Sequence, residues 1–110
     1  MAVRHLFVIW TNPLFHESAR LLLKHPDIIW VGATADITTA REEILRLHPD
    51  TILFEKTRAG IPAEVIEILE EETRDMRIIG LSLENNSISL YRHEHQAVGK
   101  ADDLLQFVLG

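Results

Sequence analysis

The sequence predicts an α/β fold, a three-layer sandwich with helices on both faces of a mostly parallel sheet. Three observations carry this. Short apolar runs alternate with stretches whose apolar residues recur at helical spacing, the pattern of repeated βαβ units. The breakers His25-Pro26-Asp27 and His48-Pro49-Asp50 each stand between a helical stretch and an apolar run. Late in the chain the alternation stops, and two β-rich runs follow each other with no room for a crossover helix.

The elements follow in order. Val3 to Trp10 is an apolar first strand. Asn12 is placed to cap a helix with Pro13 at its first position, where the missing N–H costs nothing. Leu14, Ala19, Leu22 and Leu23 supply its apolar stripe, and His25-Pro26-Asp27 ends it. Ile28 to Ala33 is the second strand. Thr39 with Glu42 three residues later reads as a capping box, opening a helix through Ile44, Leu45 and Leu47. Thr51 to Glu55 is the third strand, a buried run ending in one acid. Pro62 starts a further helix with Val65, Ile66, Ile68 and Leu69 on its inner face, and Arg77 to Leu83 is the fourth strand. Glu84-Asn85-Asn86-Ser87 is a compact turn signal, followed at once by Ile88 to His95. A β-hairpin is expected there, with the fifth strand antiparallel to the fourth. A last helix carries Leu104, Leu105, Val108 and Phe107.

Length and composition set limits on function. A chain of 110 residues, 46% apolar, suits one domain with one core. Cysteine is absent, which removes disulfides, a thiol nucleophile and thiolate metal sites. The N-terminal apolar run is too short for a membrane span and lacks a small-residue cleavage site, so a cytoplasmic protein without membrane attachment is expected. The formal net charge is −6, with no basic run, which argues against direct nucleic-acid binding. Glu64, Glu67, Glu70, Glu71, Glu72 and Asp75, opposed only by Arg74, read as a solvated helix face. Serines, histidines and acids are present, but in no ordered catalytic motif, so no enzyme activity and no cofactor are expected.

Four segments, in the right order, resemble a response-regulator receiver domain of two-component signalling. They are Phe7 to Phe15, His25 to Ala33, Leu47 to Glu55 and Ile78 to Ser82. The resemblance implies a flavodoxin-like sandwich with sheet order 2-1-3-4-5, here with the last strand reversed through a hairpin that replaces the fourth helix. It also implies where phosphotransfer would occur, and the chain departs from the family at those positions. The acid pair that holds magnesium is replaced by Trp10 and Thr11, neither of which offers the anionic oxygens a hard cation selects. The phosphoacceptor aspartate is Glu55, one methylene longer. Ala97 or Val98 falls near the strand-five lysine, with Lys100 close by but in a loop. Only Ser82 keeps the family's hydroxyl position. The resemblance thus implies a degenerate pseudo-receiver, and Glu55 is not expected to be phosphorylated.

Other features have two readings. Glu55 either mimics the phosphorylated aspartate or is a remnant acid that bonds to Lys56, Ser82 or Thr11. Trp10 is either a packing residue or, with Phe54 and Ile61, the lining of a small apolar-ligand pocket at the carboxyl ends of the strands, which would make the protein a ligand sensor. His93 and His95 share one face of a strand but have no third ligand near them in sequence, so no metal site is expected. The strand from Ser87 to Gln96 is expected at the sheet edge, where unpaired main-chain groups attract a partner. Ile88, Leu90, Tyr91, Arg92, His93, Glu94 and His95 are therefore the candidate interface, for an unidentified protein partner or for a homodimer that also uses the last helix. The resulting functional expectation is a non-enzymatic, phosphorylation-independent signalling module that acts by protein–protein contact.

Overall fold

A computed structural model describes residues 3–56, 63, 67, 76–82, 87–91, 96–100 and 104–109. Strand β1 (Arg4–Ile9), helix α1 (Pro13–Leu22), β2 (Ile28–Thr34), α2 (Ile37–Leu47) and β3 (Thr51–Glu55) form the first half. Strands β4 (Arg77–Ser82), β5 (Ser87–Tyr91) and β6 (Gln96–Lys100) and a last helix (Leu104–Leu109) follow. One sheet holds all the strands in the order β2-β1-β3-β4-β5-β6. The pairs β1·β2, β1·β3 and β3·β4 are parallel, and β5 is antiparallel to both β4 and β6.

The expected 2-1-3-4-5 order with a reversed fifth strand is present, but the sheet is six-stranded rather than five-stranded. The run expected as one strand from Ser87 to Gln96 stops at Tyr91, and a further strand begins at Gln96. Two successive reversals point β6 the same way as β4. The antiparallel β5 is thus inserted between two strands of common direction. It is no edge strand: the backbone at Ile88, Leu90 and Tyr91 pairs with β4 on one side and β6 on the other. Lys100 lies on β6, paired with Ser87, rather than in a loop.

Alternation along the strands divides the core into two layers. Leu6, Val8, Leu53, Ile79, Leu81 and Ile88 face α1 and the last helix, and meet Phe15, Ala19, Leu23, Leu104 and Val108. Phe7, Ile9, Ile52, Phe54 and Ile78 face the opposite way and meet Ala40 and Ile44 of α2. Arginines from the sheet hold the end of the last helix: Arg4 Nη2 donates to the carbonyl of Leu109 (3.3 Å) and Arg77 Nη1 to that of Val108 (3.1 Å). Cations here satisfy orphan carbonyls and oppose the negative end of the helix.

Helix α1 begins as the sequence predicts, with Asn12 Oδ1 accepting from Leu14 N (2.9 Å) and Pro13 at the first helical position. Its inward stripe differs. Phe15, Ala19 and Leu23, four residues apart, are buried, whereas Leu14 is 68% exposed and Leu22 is also exposed. Ala19 and Leu23 of the expected stripe are therefore in the core, and Phe15 takes the place expected for Leu14 and Leu22, because α1 carries apolar residues on both faces. Helix α2 starts earlier than the Thr39–Glu42 box implies, because Asp36 is its cap: Oδ1 accepts from Thr38 N (3.0 Å) and Thr38 Oγ1 (2.7 Å). Thr39 Oγ1 donates instead to the Asp36 carbonyl (3.0 Å). Leu45 is exposed, whereas Ile44 is buried and Leu47 packs half-buried against the same layer. Of the helix expected from Pro62, Ala63 and Glu67 are helical and exposed, while Val65, Ile66, Ile68 and Leu69 lie outside the described residues.

The Asp36 carboxyl has its pKa lowered, first by the Thr38 hydroxyl and then by the Thr38 amide. A depressed folded-state pKa contributes stability that is present above the ordinary value of 3.8 and is lost as pH falls through the lower folded value. Thermal denaturation should therefore show Asp36→Ala less stable at neutral pH, with its deficit shrinking in acid. Asp36→Asn should keep the cap at neutral pH and flatten the acid limb.

Candidate functional site at the carboxyl end of the sheet

Glu55 ends β3, and the backbone of residues 10–12 leads from β1 into α1 beside it. The Glu55 carboxylate spans that gap. Its Oε1 accepts from two successive backbone amides, Thr11 N at 3.2 Å and Asn12 N at 2.9 Å. Paired N–H groups converging on one oxygen form a small anion-binding nest. This nest adjoins the N-terminus of α1, a helix with no acidic residue in its own first turn. Glu55 thus supplies from another strand the negative charge that end of the helix favours. The extra methylene of glutamate relative to aspartate provides the reach.

Lys56, the next residue, takes the opposite face. Its backbone N–H donates to the Leu81 carbonyl (2.9 Å), and its Nζ donates to Ser89 Oγ (3.1 Å). Ser89 is 1% exposed, so the pair ties the end of β3 to β5. Ser82 is buried at the end of β4, opposite Ser87 across the hairpin. Alternation puts Ser82 on the Lys56 face, since its neighbour Leu81 faces α1. The Glu55 carboxylate bonds to the loop amides of Thr11 and Asn12, and neither Lys56 nor Ser82 is among its partners.

Trp10 packs on the α1 side of the sheet, its ring tilted at 36° against His16 with centroids 5.0 Å apart. His16 in turn meets Trp30 of β2 edge-on, at 87° and 6.0 Å. Phe54 belongs to the other layer. The sheet therefore stands between Trp10 and Phe54, and the apolar pocket that was to join them does not form; Ile61 lies outside the described residues. A groove of about 670 Å³ lies elsewhere, between α1 and β2.

Ala97 and Val98 lie on β6, paired with Leu90 and Ser89. The inserted β5 moves these positions one strand further from β4 and Ser82, by about 4.8 Å of sheet width. Of the candidate interface, Ile88 is buried on the α1 face, and Leu90 and Tyr91 hold interior backbone positions. Arg92, His93, Glu94 and His95 lie outside the described residues. Of the partners expected for a remnant Glu55, Thr11 is one, through its backbone amide rather than its hydroxyl; sequence reasoning missed the second donor, Asn12 N, the Lys56–Ser89 tie and the Trp10–His16–Trp30 contact. The tryptophans and His16 were legible as residues, but their meeting requires the helix phase.

No protein-family model and no curated protein sequence matches the chain. Solved structures do. The response regulator RcsB of Salmonella typhimurium, in a study of its DNA interaction, superposes with a TM-score of 0.64 at 18% identity, over 78% of this chain and 46% of that one. A mutant of the anti-anti-sigma factor PhyR of Bartonella quintana superposes with a TM-score of 0.60 at 16% identity, over 73% of this chain and 34% of that one. The chain thus spans less than half the length of either protein. The chain has a receiver-like fold.

Proposed function

We propose that this chain is a pseudo-receiver, a single signalling domain that regulates by protein–protein contact without being phosphorylated. The observation that carries this reading is the grip of the Thr11 and Asn12 amides on Glu55 Oε1. Where a receiver would present an acid to an incoming phosphoryl group, this chain spends that acid on its own loop. Trp10 and Thr11 add no carboxylate to offset the charge a phosphoryl group brings. Glu55 then acts as a fixed internal anion that orders the loop into α1.

Incubation with acetyl phosphate and magnesium tests the reading by intact mass. No adduct is expected. A stable, magnesium-dependent phosphoryl adduct at Glu55 would overturn it. Among the described strands β6 is the free margin of the sheet next to the hairpin, so we place the homodimer contact there and on the last helix. Sedimentation velocity at rising concentration should show a dimer; a monomer throughout would remove this part. The absence of any helix among the described residues long and apolar enough to cross a membrane fits cytoplasmic action.

A further inference from the structure

The groove between α1 and β2 has an origin in the helix phase. Helix α1 directs Phe15, Ala19 and Leu23 onto the centre of the sheet, and leaves the outer strand β2 only partly covered. Ile28 and Trp30 of β2 face the same layer and form the floor with Leu23. A register irregularity between Leu6 and Phe7 sets Val31 outside the β1 pairing, which ends the regular floor just past Trp30. His16 and Arg20, one helical turn apart, form the wall, with Lys24 just past the helix end and His25 beyond it.

The chemistry of this lining is distinctive in a chain of net charge −6. Arg20 and Lys24 stand against one acid, Glu17, and among the described residues neither cation has a hydrogen-bond or ion-pair partner. His25 Nδ1 accepts from Asp27 N (3.0 Å), so the neutral ring carries its proton on Nε2 and is a donor. Beneath these donors the floor is apolar and aromatic, with Trp30 already in a near-perpendicular ring contact with His16. A volume of about 670 Å³ lies within the usual range for small-molecule sites.

We propose that this groove binds a small aromatic anion, its ring on Trp30 and its carboxylate or phosphate between Arg20, Lys24 and His25. The guanidinium pairs with either group in a planar, two-bond arrangement, and the apolar floor rewards the ring. The site stands independently of the reading of Glu55.

The test uses 2-naphthoate and 2-naphthyl phosphate as probes, with 2-naphthamide as the uncharged counterpart, in calorimetric titrations of the whole chain. At least one anion should bind saturably at one site, and the amide at least about tenfold more weakly. The chain has two tryptophans, so its indole N–H resonances report the location: Trp30 should shift on binding more than Trp10. The exposed pair Arg20→Glu/Lys24→Glu should retain the fold and lose binding by about tenfold or more, while Trp30→Phe should retain it better than Trp30→Leu. The proposal is overturned if neither anion saturates, if the amide binds equally well, or if the charge-reversed variant binds unchanged. It is also overturned if the groove is covered by a second copy, seen as a dimer that the charge reversal dissociates, or if an acidic amphipathic peptide shifts Trp30 while both anions leave it in place.

Discussion

Replacing Gly80 with valine is expected to destabilise the fold by roughly 2–4 kcal/mol, the upper part of the range for overpacking a core. Gly80 sits mid-strand in β4, paired with Phe54 of β3 and Ser89 of β5. A Cβ added there would stand 2.7 Å from Phe54 Cζ and within 3.2 Å of both Cε atoms. Phe54 has nowhere to withdraw, being 1% exposed and packed among Ile52, Ile78 and Ala40. The ring lies across the position a side chain would occupy, so the strand needs glycine for close approach rather than for an unusual backbone angle. For a chain of this size the loss corresponds to a fall in Tm of roughly 10–20 °C. Gly32→Ala should cost less. Its Cβ meets Phe7 Cε2 at 2.9 Å and Leu47 Cδ1 at 3.1 Å, but it lies on the outer strand β2, and Leu47 is a half-buried side-chain end able to move. A double-mutant cycle decides the mechanism. Gly80→Ala with Phe54→Leu should be more stable than the sum of the two single changes, because each relieves the other's defect. Additive costs would mean that the clash is not the cause.

The sheet was legible where local signals agree. Thr51 to Glu55 appears with its expected bounds because a turn, an apolar run and a terminal acid coincide. The start of α1 appears because Asn12-Pro13 fixes both the cap and the first helical angle. Legibility failed where the choice depended on tertiary partners. Leu14, Leu21 and Leu22 are chemically as fit for the core as Phe15 and Leu23, and only the position of β1 and β2 decides between them. The sixth strand, Gln96 to Lys100, holds one β-branched residue and exists through its pairing with β5. Asp36 outcompeted Thr39 because its carboxylate collects two Thr38 donors, whereas Thr39 bonds back to the Asp36 carbonyl. At the candidate site the letters revealed the acid and the missing metal ligands. They did not reveal what the acid does, because its partners are main-chain amides that every residue but proline carries. The groove was equally hidden, since its cations come from α1 and its floor from β2.

Substitutions at Glu55 should separate a structural anion from a vestige. Glu55→Gln keeps the length of the side chain and one acceptor oxygen, but removes the charge. Two charge-assisted bonds become neutral ones, so a cost of about 0.5–1 kcal/mol is expected. Glu55→Ala leaves the Thr11 and Asn12 amides to water, which their exposure permits, and the cost should be about 1–2 kcal/mol. Glu55→Lys sets a cation against both amides and the positive end of α1, and should be the most destabilising of the three, at about 2–3 kcal/mol. The order lysine, alanine, glutamine is the decisive feature, because a vestigial acid would show no dependence on charge. Hydrogen exchange adds a local readout: the amides of Thr11 and Asn12 should exchange faster in every variant, while Lys56 N, bonded to the Leu81 carbonyl, should stay protected in the glutamine variant. A Glu55→Asp variant asks the remaining question. Shortened by one methylene, its carboxylate falls short of the Asn12 amide and is returned to the length of the family's phosphoacceptor. If Glu55 alone blocked phosphotransfer, that change would restore a magnesium-dependent adduct. With Trp10 and Thr11 still in place of the acid pair, no adduct is expected. The variant should instead resemble Glu55→Ala in stability, because a charge that cannot reach its donors orders nothing.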